Sequence, residues 1–172
     1  MPRPLGCRET IVIRSATETD SDLIARIYNH YILNTVVTFE EQPVSSKEIS
    51  YRIDGALAAS LPYLVLVQDD LVIGYACATP WHSRSAYRYS VETSIYLDSS
   101  CIGRRVGSVL YEVLLENLEA RGLHAAIGGI ALPNPGSVAL HEKLGFKKVA
   151  HYKEIGFKFD RWIDVGYWQR LF

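Results

Sequence analysis

The chain has 172 residues, 48% of them apolar and 22% charged, a composition that fits one ordinary globular domain and excludes a chain disordered throughout. Eighteen lysines and arginines against nineteen aspartates and glutamates leave a net charge of -1, so no basic excess draws the protein to nucleic acid or to an anionic membrane surface. Its apolar runs, such as 64–67 and 125–132, are far shorter than the ~20 residues of a spanning helix.

Residues 1–10 carry no signal-type apolar core and are expected to be a loose segment ahead of a single domain over 11–172. Ile11 to Arg14 reads as a strand. From Thr19 to Leu33 the spacing places Leu23, Ile24, Ile27, Tyr28, Tyr31 and Ile32 on one face of a helix. After a loop through Thr38, Phe39 and Pro43, Ser45 or Ser46 with Glu48 or Ile49 downstream starts a second helix, which ends near Ala59 before Pro62. Tyr63 to Val67 and Val72 to Ala78 are β-rich segments joined by a hairpin turn at Gln68-Asp69-Asp70, and Ser90 to Leu97 alternates as a third strand. Val106, Val109, Leu110, Val113, Leu114 and Leu118 give the clearest helical face, over about Arg105 to Ala120, with Gly122 as its stop. Ala125 to Leu132 follows as a buried strand. Asn134-Pro135 supplies a cap and a first-turn proline for a short helix closed by Gly145, and strands over Lys147 to Phe157 and Trp162 to Arg170 complete the order β-α-α-β-β-β-α-β-α-β-β.

Three cysteines, Cys7, Cys77 and Cys101, lack CxxC spacing and cannot all pair. Free thiols in a reducing compartment are expected, hence a cytoplasmic protein. No close Cys/His cluster surrounds them, so neither a metal nor a cysteine nucleophile is expected.

The stretch Cys101-Ile102-Gly103-Arg104-Arg105-Val106-Gly107-Ser108 empties a strand into a helix through a loop of glycine and arginine. Exposed amides, the helix dipole and a guanidinium can together hold a diphosphate there, although a plain turn explains the same pattern equally well. In its context the segment resembles the acetyl-CoA site of the GNAT acetyltransferase superfamily. The resemblance is closest to the phosphinothricin acetyltransferases, through Pro80-Trp81-His82-Ser83-Arg84-Ser85-Ala86-Tyr87, Val91-Glu92-Thr93-Ser94-Ile95-Tyr96, Leu132-Pro133-Asn134 with Ser137-Val138 and His141-Glu142, Gly156-Phe157-Lys158, Trp162 and Asp164-Val165-Gly166-Tyr167-Trp168-Gln169. It spans about Ile11 to the C-terminus.

That resemblance implies an α/β fold of GNAT type: a mixed, mostly antiparallel central sheet with helices on both faces, splayed at the acetyl-CoA site. It implies acetyl-CoA contacts at Ser94, Ile95, Tyr96, Ile102, Gly103, Arg104, Arg105, Val106, Gly107 and Asn134, the last of which is also a sufficient N-cap. Two departures stand out. The superfamily loop usually reads Gln or Arg, two residues, Gly, one residue, Gly or Ala, and here those positions are Ile102, Arg105 and Gly107. The amides still serve if Arg105 keeps a negative φ. His82 stands where close family members tend to have lysine.

A carboxylate at Glu92, inside a strand, is either solvent-facing with Ser90 and Ser94 or a partly buried base that takes the proton of an ammonium acceptor. The resemblance implies the base. His141, seven residues after Asn134, replaces the tyrosine that many GNAT enzymes use to protonate the departing thiolate. It is either that acid, as imidazolium, or a packed helix histidine. By resemblance Phe39, Arg84, Ser85, Ala86 and Tyr87 bind the acceptor, with Arg84 suited to hold a carboxylate or phosphinate in bidentate fashion. Trp162, Tyr167, Trp168 and Phe172 crowd the end of the chain, either as core or as part of the homodimer typical of the family.

The expected function is therefore acetyl transfer from acetyl-CoA to the amino group of a small amino-acid analogue, of phosphinothricin or methionine sulfoximine type, by direct attack. The alternatives are another amine, from a metabolite or a protein N-terminus, and a non-catalytic acyl-CoA sensor.

Overall fold

The computed structural model describes residues 11–172; the expectations for residues 1–10, with Cys7, lie outside them. Seven strands form one sheet in the order β1-β2-β3-β4-β5-β7-β6. They are β1 (Ile11–Ser15), β2 (Tyr63–Gln68), β3 (Leu71–Pro80), β4 (Ser90–Leu97), β5 (Ala125–Leu132), β6 (Lys147–Lys158) and β7 (Arg161–Leu171). Four helices join them: α1 (Ser21–Asn34), α2 (Ser46–Ala58), α3 (Val106–Ala120) and α4 (Pro135–Lys143). Element order and fold class agree with the sequence reading.

Alternation along β2 shows why helices cover both faces. Leu64 and Leu66 enter a core with Leu110, Leu114 and Leu118 of α3, whereas Tyr63 and Val65 enter a second core with Ile24, Ile27 and Ile32 of α1 and Ile49 and Ile53 of α2. Buried on both sides, such a strand must be a near-continuous apolar run. Two residues, Asp69 and Asp70, make the β2–β3 turn, at φ 48° and 65°, the doubly left-handed geometry that matches strand twist. Ser45 caps α2 by accepting from the Glu48 amide, and Asn134 caps α4 by accepting from the Ser137 amide.

All ladders are antiparallel except β4–β5, which is parallel and holds only for Ser90↔Ala125, Val91↔Ala126 and Glu92↔Ile127. Beyond Glu92 the two strands separate: β4 continues along β3 to Leu97, and β5 continues along β7 to Leu132. The splay therefore opens at Glu92. Of the crowded C-terminal aromatics, Trp168 is core, Tyr167 is half-buried, and Trp162 is exposed.

Candidate active site

Glu92 lines a cavity of about 280 Å³ together with Val37, Phe39, Gly129, Ala131, Ile155, Val165 and Tyr167. Each wall has a local cause. Gly129 faces Glu92, and a Cβ there would stand 3.2 Å from Tyr167 Cε1 and 3.4 Å from Glu92 Oε1, so glycine leaves room beside the carboxylate. Gly156 makes similar room for Phe39, whose ring a Cβ would overlap. Ile155 reaches the cavity because β6 is irregular between Tyr152 and Gly156. Lys158, 2% exposed, donates from Nζ to the Thr38 carbonyl at 2.8 Å and ties the Phe39 loop to β6. Burial lowers its pKa, against the raising influence of Glu41 and Glu40.

Desolvation raises the pKa of Glu92, partly offset by His82. A carboxylate half removed from water, with no side-chain partner within hydrogen-bonding distance among the described residues, is a stronger base than one in solvent.

His141 lies on the other side of the sheet. Gly128 and Gly129 are consecutive on β5 and face opposite ways, and a Cβ on Gly128 would overlap the His141 ring. His141 Nδ1 donates to the Ser137 carbonyl at 2.8 Å, which leaves Nε2 to accept from the Tyr111 hydroxyl at 3.1 Å. The Tyr111 oxygen is 2.7 Å from Thr93 Oγ1, which also lies 3.3 Å from the Ile127 carbonyl. Burial lowers the His141 pKa. A neutral ring that accepts at Nε2 has no proton there to give, so this geometry favours the packed histidine over the imidazolium acid. The chain of bonds runs to Ile127 and Thr93, where β4 and β5 part, and braces the opening of the splay.

The β5-facing backbone of Ser94, Ile95 and Tyr96 borders this opening, and β4 delivers the chain into the loop before α3. There the expectation that Arg105 keeps a negative φ is corrected: its φ is 64°. Ile102 before it is extended, at φ -64° and ψ 138°, and Gly103 has φ 85°, so two positive-φ residues turn the chain sharply into α3. The amides of Val106 and Gly107 open α3 and have no intrahelical acceptor, whereas Ser108 already donates to Arg105 at 3.2 Å. Gly107 lets α3 begin close to β4, since a Cβ would stand 3.1 Å from Leu97 Cδ1. With the exposed side chains of Arg104 and Arg105, the loop fits a diphosphate.

Arg84, Ser85, Ala86 and Tyr87 sit in the β3–β4 connection and do not line the Glu92 cavity. Arg84 and Tyr87 share a separate hollow with His82 and Ser83, and the His82 and Tyr87 rings are 5.0 Å apart. His82 is the link between the two places, because its charge bears on Glu92. Sequence reasoning did not single out Gly129, Tyr167 and Lys158 for this site. Tyr167 stands opposite Gly129 in the β5–β7 ladder, a pairing visible only once the register is known. Cys77 is a neutral thiol, pushed up to about 12 by burial, and no group of three or more His, Cys, Asp or Glu side chains among the described residues could hold a metal.

Residues 13–166 match the model of the GNAT acetyltransferase domain. Over 169 residues the chain is 37% identical to the phosphinothricin N-acetyltransferase of Streptomyces coelicolor, covering 93% of this chain and 95% of that one. It is 31% identical over 159 residues to the L-methionine sulfoximine/L-methionine sulfone acetyltransferase of Salmonella typhimurium, covering 92% and 93%. Among solved structures, a phosphinothricin acetyltransferase from Sinorhizobium meliloti in complex with acetyl-CoA superposes with a TM-score of 0.91 at 37% identity, covering 94% of this chain and 88% of that one.

Proposed function

The chain belongs to the GNAT acetyltransferase family and is an acetyl-CoA-dependent N-acetyltransferase, and on that premise we propose that it acetylates the α-amine of a small amino acid analogue with Glu92 as general base. The observation that carries the reading is the half-buried, unpaired Glu92 carboxylate at the mouth of the splay. The acceptor enters as an ammonium ion and passes one proton to Glu92, directly or through a water. Its nitrogen lone pair then forms the bond to the acetyl carbon, the carbon–sulfur bond breaks with its electron pair on the sulfur, and the second nitrogen proton passes to the coenzyme A thiolate, directly or through a water, leaving a neutral amide and a free thiol. Amides of the 103–107 loop and the Arg104 and Arg105 guanidinium groups hold the diphosphate, while the free backbone edge of Ser94 to Tyr96 and the Asn134 side chain take the pantetheine arm. Phe39 and Tyr167 close the cavity against water, and Arg84, with His82 and Tyr87, meets the acceptor carboxylate at its rim.

Glu92→Gln is expected to lower turnover ~10²–10⁴-fold, the usual contribution of a general base, with acetyl-CoA binding by calorimetry retained. Near-normal thiol release by this variant across neutral pH would eliminate Glu92 as the base. Arg84→Ala is expected to raise KM for acceptors that carry a carboxylate and to leave simple amines nearly unaffected; equal weakening of both would make the arginine a support for the loop.

A further inference from the structure

β7 supplies Val165 and Tyr167 to the wall of the Glu92 cavity. Alternation turns Asp164 to the opposite face, the one on which Trp168 enters the core under α3. The Asp164 carboxylate therefore points away from the acceptor, yet it holds the strand that forms the cavity's other wall.

β6 and β7 pair in register at Tyr152↔Val165 and again at Gly156↔Ile163. Between those pairs Lys153, Glu154 and Ile155 all stand opposite Asp164, two residues more than a regular ladder holds. A bulge of this size needs a support, because β6 is the last strand in the sheet order and its outer edge pairs with no further strand among the described residues. Glu154 at its crest has φ 50°, a left-handed conformation that a residue with a side chain adopts only at a cost.

Asp164 is that support. Its Oδ1 accepts from the Glu154 amide at 2.9 Å, and its Oδ2 accepts from His151 Nε2 at 2.7 Å. Lys148 Nζ lies 3.3 Å from the other ring nitrogen and can only donate, so His151 accepts at Nδ1 and carries its proton at Nε2. One carboxylate thus ties the crest of the bulge to the regular strand before it. These bonds, that of the Glu154 amide first, hold the Asp164 carboxyl below the ordinary carboxylate range. Asp164 is itself fixed from the other side, as the ladder partner of Leu132 in β5.

The residue after the supported amide is Ile155, which lines the Glu92 cavity, and the next is Gly156, which lies against the Phe39 ring. Both placements follow from the bulge. In a regular ladder continued from Tyr152↔Val165, Glu154 would stand opposite Ile163 in place of Gly156 and would bring a charged side chain to Phe39.

Resting on the reading of this cavity as the acceptor site, we propose that Asp164 is a positioning residue for the acceptor: from the far face of the sheet, through the Glu154 amide, it sets where Ile155 stands and so how closely the Glu92 cavity fits the acceptor. It touches neither substrate.

The test uses whichever of phosphinothricin and methionine sulfoximine the wild type acetylates faster. Asp164→Ala is expected to raise KM for that acceptor ~3–10-fold, the effect of about one lost hydrogen bond, with kcat and KM for acetyl-CoA within ~2-fold of wild type. Asp164→Asn keeps an oxygen for the Glu154 amide and should recover most of the loss. Ile155→Ala should raise the same KM, and adding Asp164→Ala to it should change little more, because residues that act through one contact are not additive. Amide hydrogen exchange at 154–156 should quicken ~10-fold or more in Asp164→Ala and stay near wild type in Asp164→Asn. Should Asp164→Ala fail to fold, His151→Ala, which removes the other bond to the carboxylate from an exposed position, is expected to give the same pattern at smaller size. An unchanged acceptor KM, effects at Asp164 and Ile155 that add in full, or an equal rise in KM for both substrates would overturn the proposal and leave Glu92 as base. A wild type that acetylates no amine would instead overturn the acetyltransfer reading, and this proposal with it.

Discussion

At Glu92, burial and neighbouring charge act in opposite directions: loss of water raises its pKa and His82 lowers it. A base works only when deprotonated, so kcat/KM is expected to fall on the acid side at a pH above the ordinary glutamate range, and His82→Ala should move that limb further up. A pH–rate profile of both proteins checks this, and an unmoved limb would separate His82 from the base. Arg105 presents a different balance. At φ 64° a residue with a side chain carries a left-handed cost of roughly 1–2 kcal/mol, which glycine escapes. Arg105→Gly is therefore expected to melt higher yet bind acetyl-CoA more weakly, with a smaller salt dependence. Higher affinity instead would mean that the guanidinium contributes nothing to the diphosphate.

Helices and strands were largely legible in the sequence, because periodicity, caps and turn residues agree along most of the chain. Ser45, Asn134 and the Asp69-Asp70 turn mark their boundaries from local chemistry alone. The loop before α3 shows the limit, since the sign of φ at Arg105 depends on how α3 packs against Leu97 and not on residue type. Residues that act across elements were equally hidden. Lys158 in β6 serves the loop between α1 and α2, 120 positions earlier in the chain, and nothing in the Gly156-Phe157-Lys158 string announces this partner. Lys158→Met removes the bond to Thr38 while keeping the apolar stem. It should raise KM for the acceptor several-fold through a displaced Phe39, with KM for acetyl-CoA nearly constant, and Lys158→Arg should restore part of the loss. Steady-state kinetics with each substrate varied in turn decides; a parallel change in both constants would mark a general loss of fold.

On the scale of the whole molecule, the hairpin of β6 and β7 leaves Val149, Tyr152, Ile155, Phe157, Phe159 and Trp162 exposed, with the Phe157 and Trp162 rings 4.9 Å apart. That apolar surface supports self-association, although of the four aromatics first singled out only Trp162 belongs to it. We expect a dimer by light scattering at micromolar concentration, converted to monomer by Trp162→Glu, and a monomeric wild type would dismiss the idea. The short β4–β5 ladder has a mechanical consequence as well. Two half-sheets, β1–β4 and β5–β7, are joined in backbone pairing only at 90–92 with 125–127, beside the buried His141–Tyr111–Thr93 chain and the core that both share under α3. Such a joint is a flexure, stiff in each plate and compliant at the seam. A pantetheine arm lying in the opening would act as a removable strut across it. Amide hydrogen exchange should then slow on both lips of the seam together when acetyl-CoA binds, at 93–97 and at 127–132, while the outer strands β1 and β6 exchange as before.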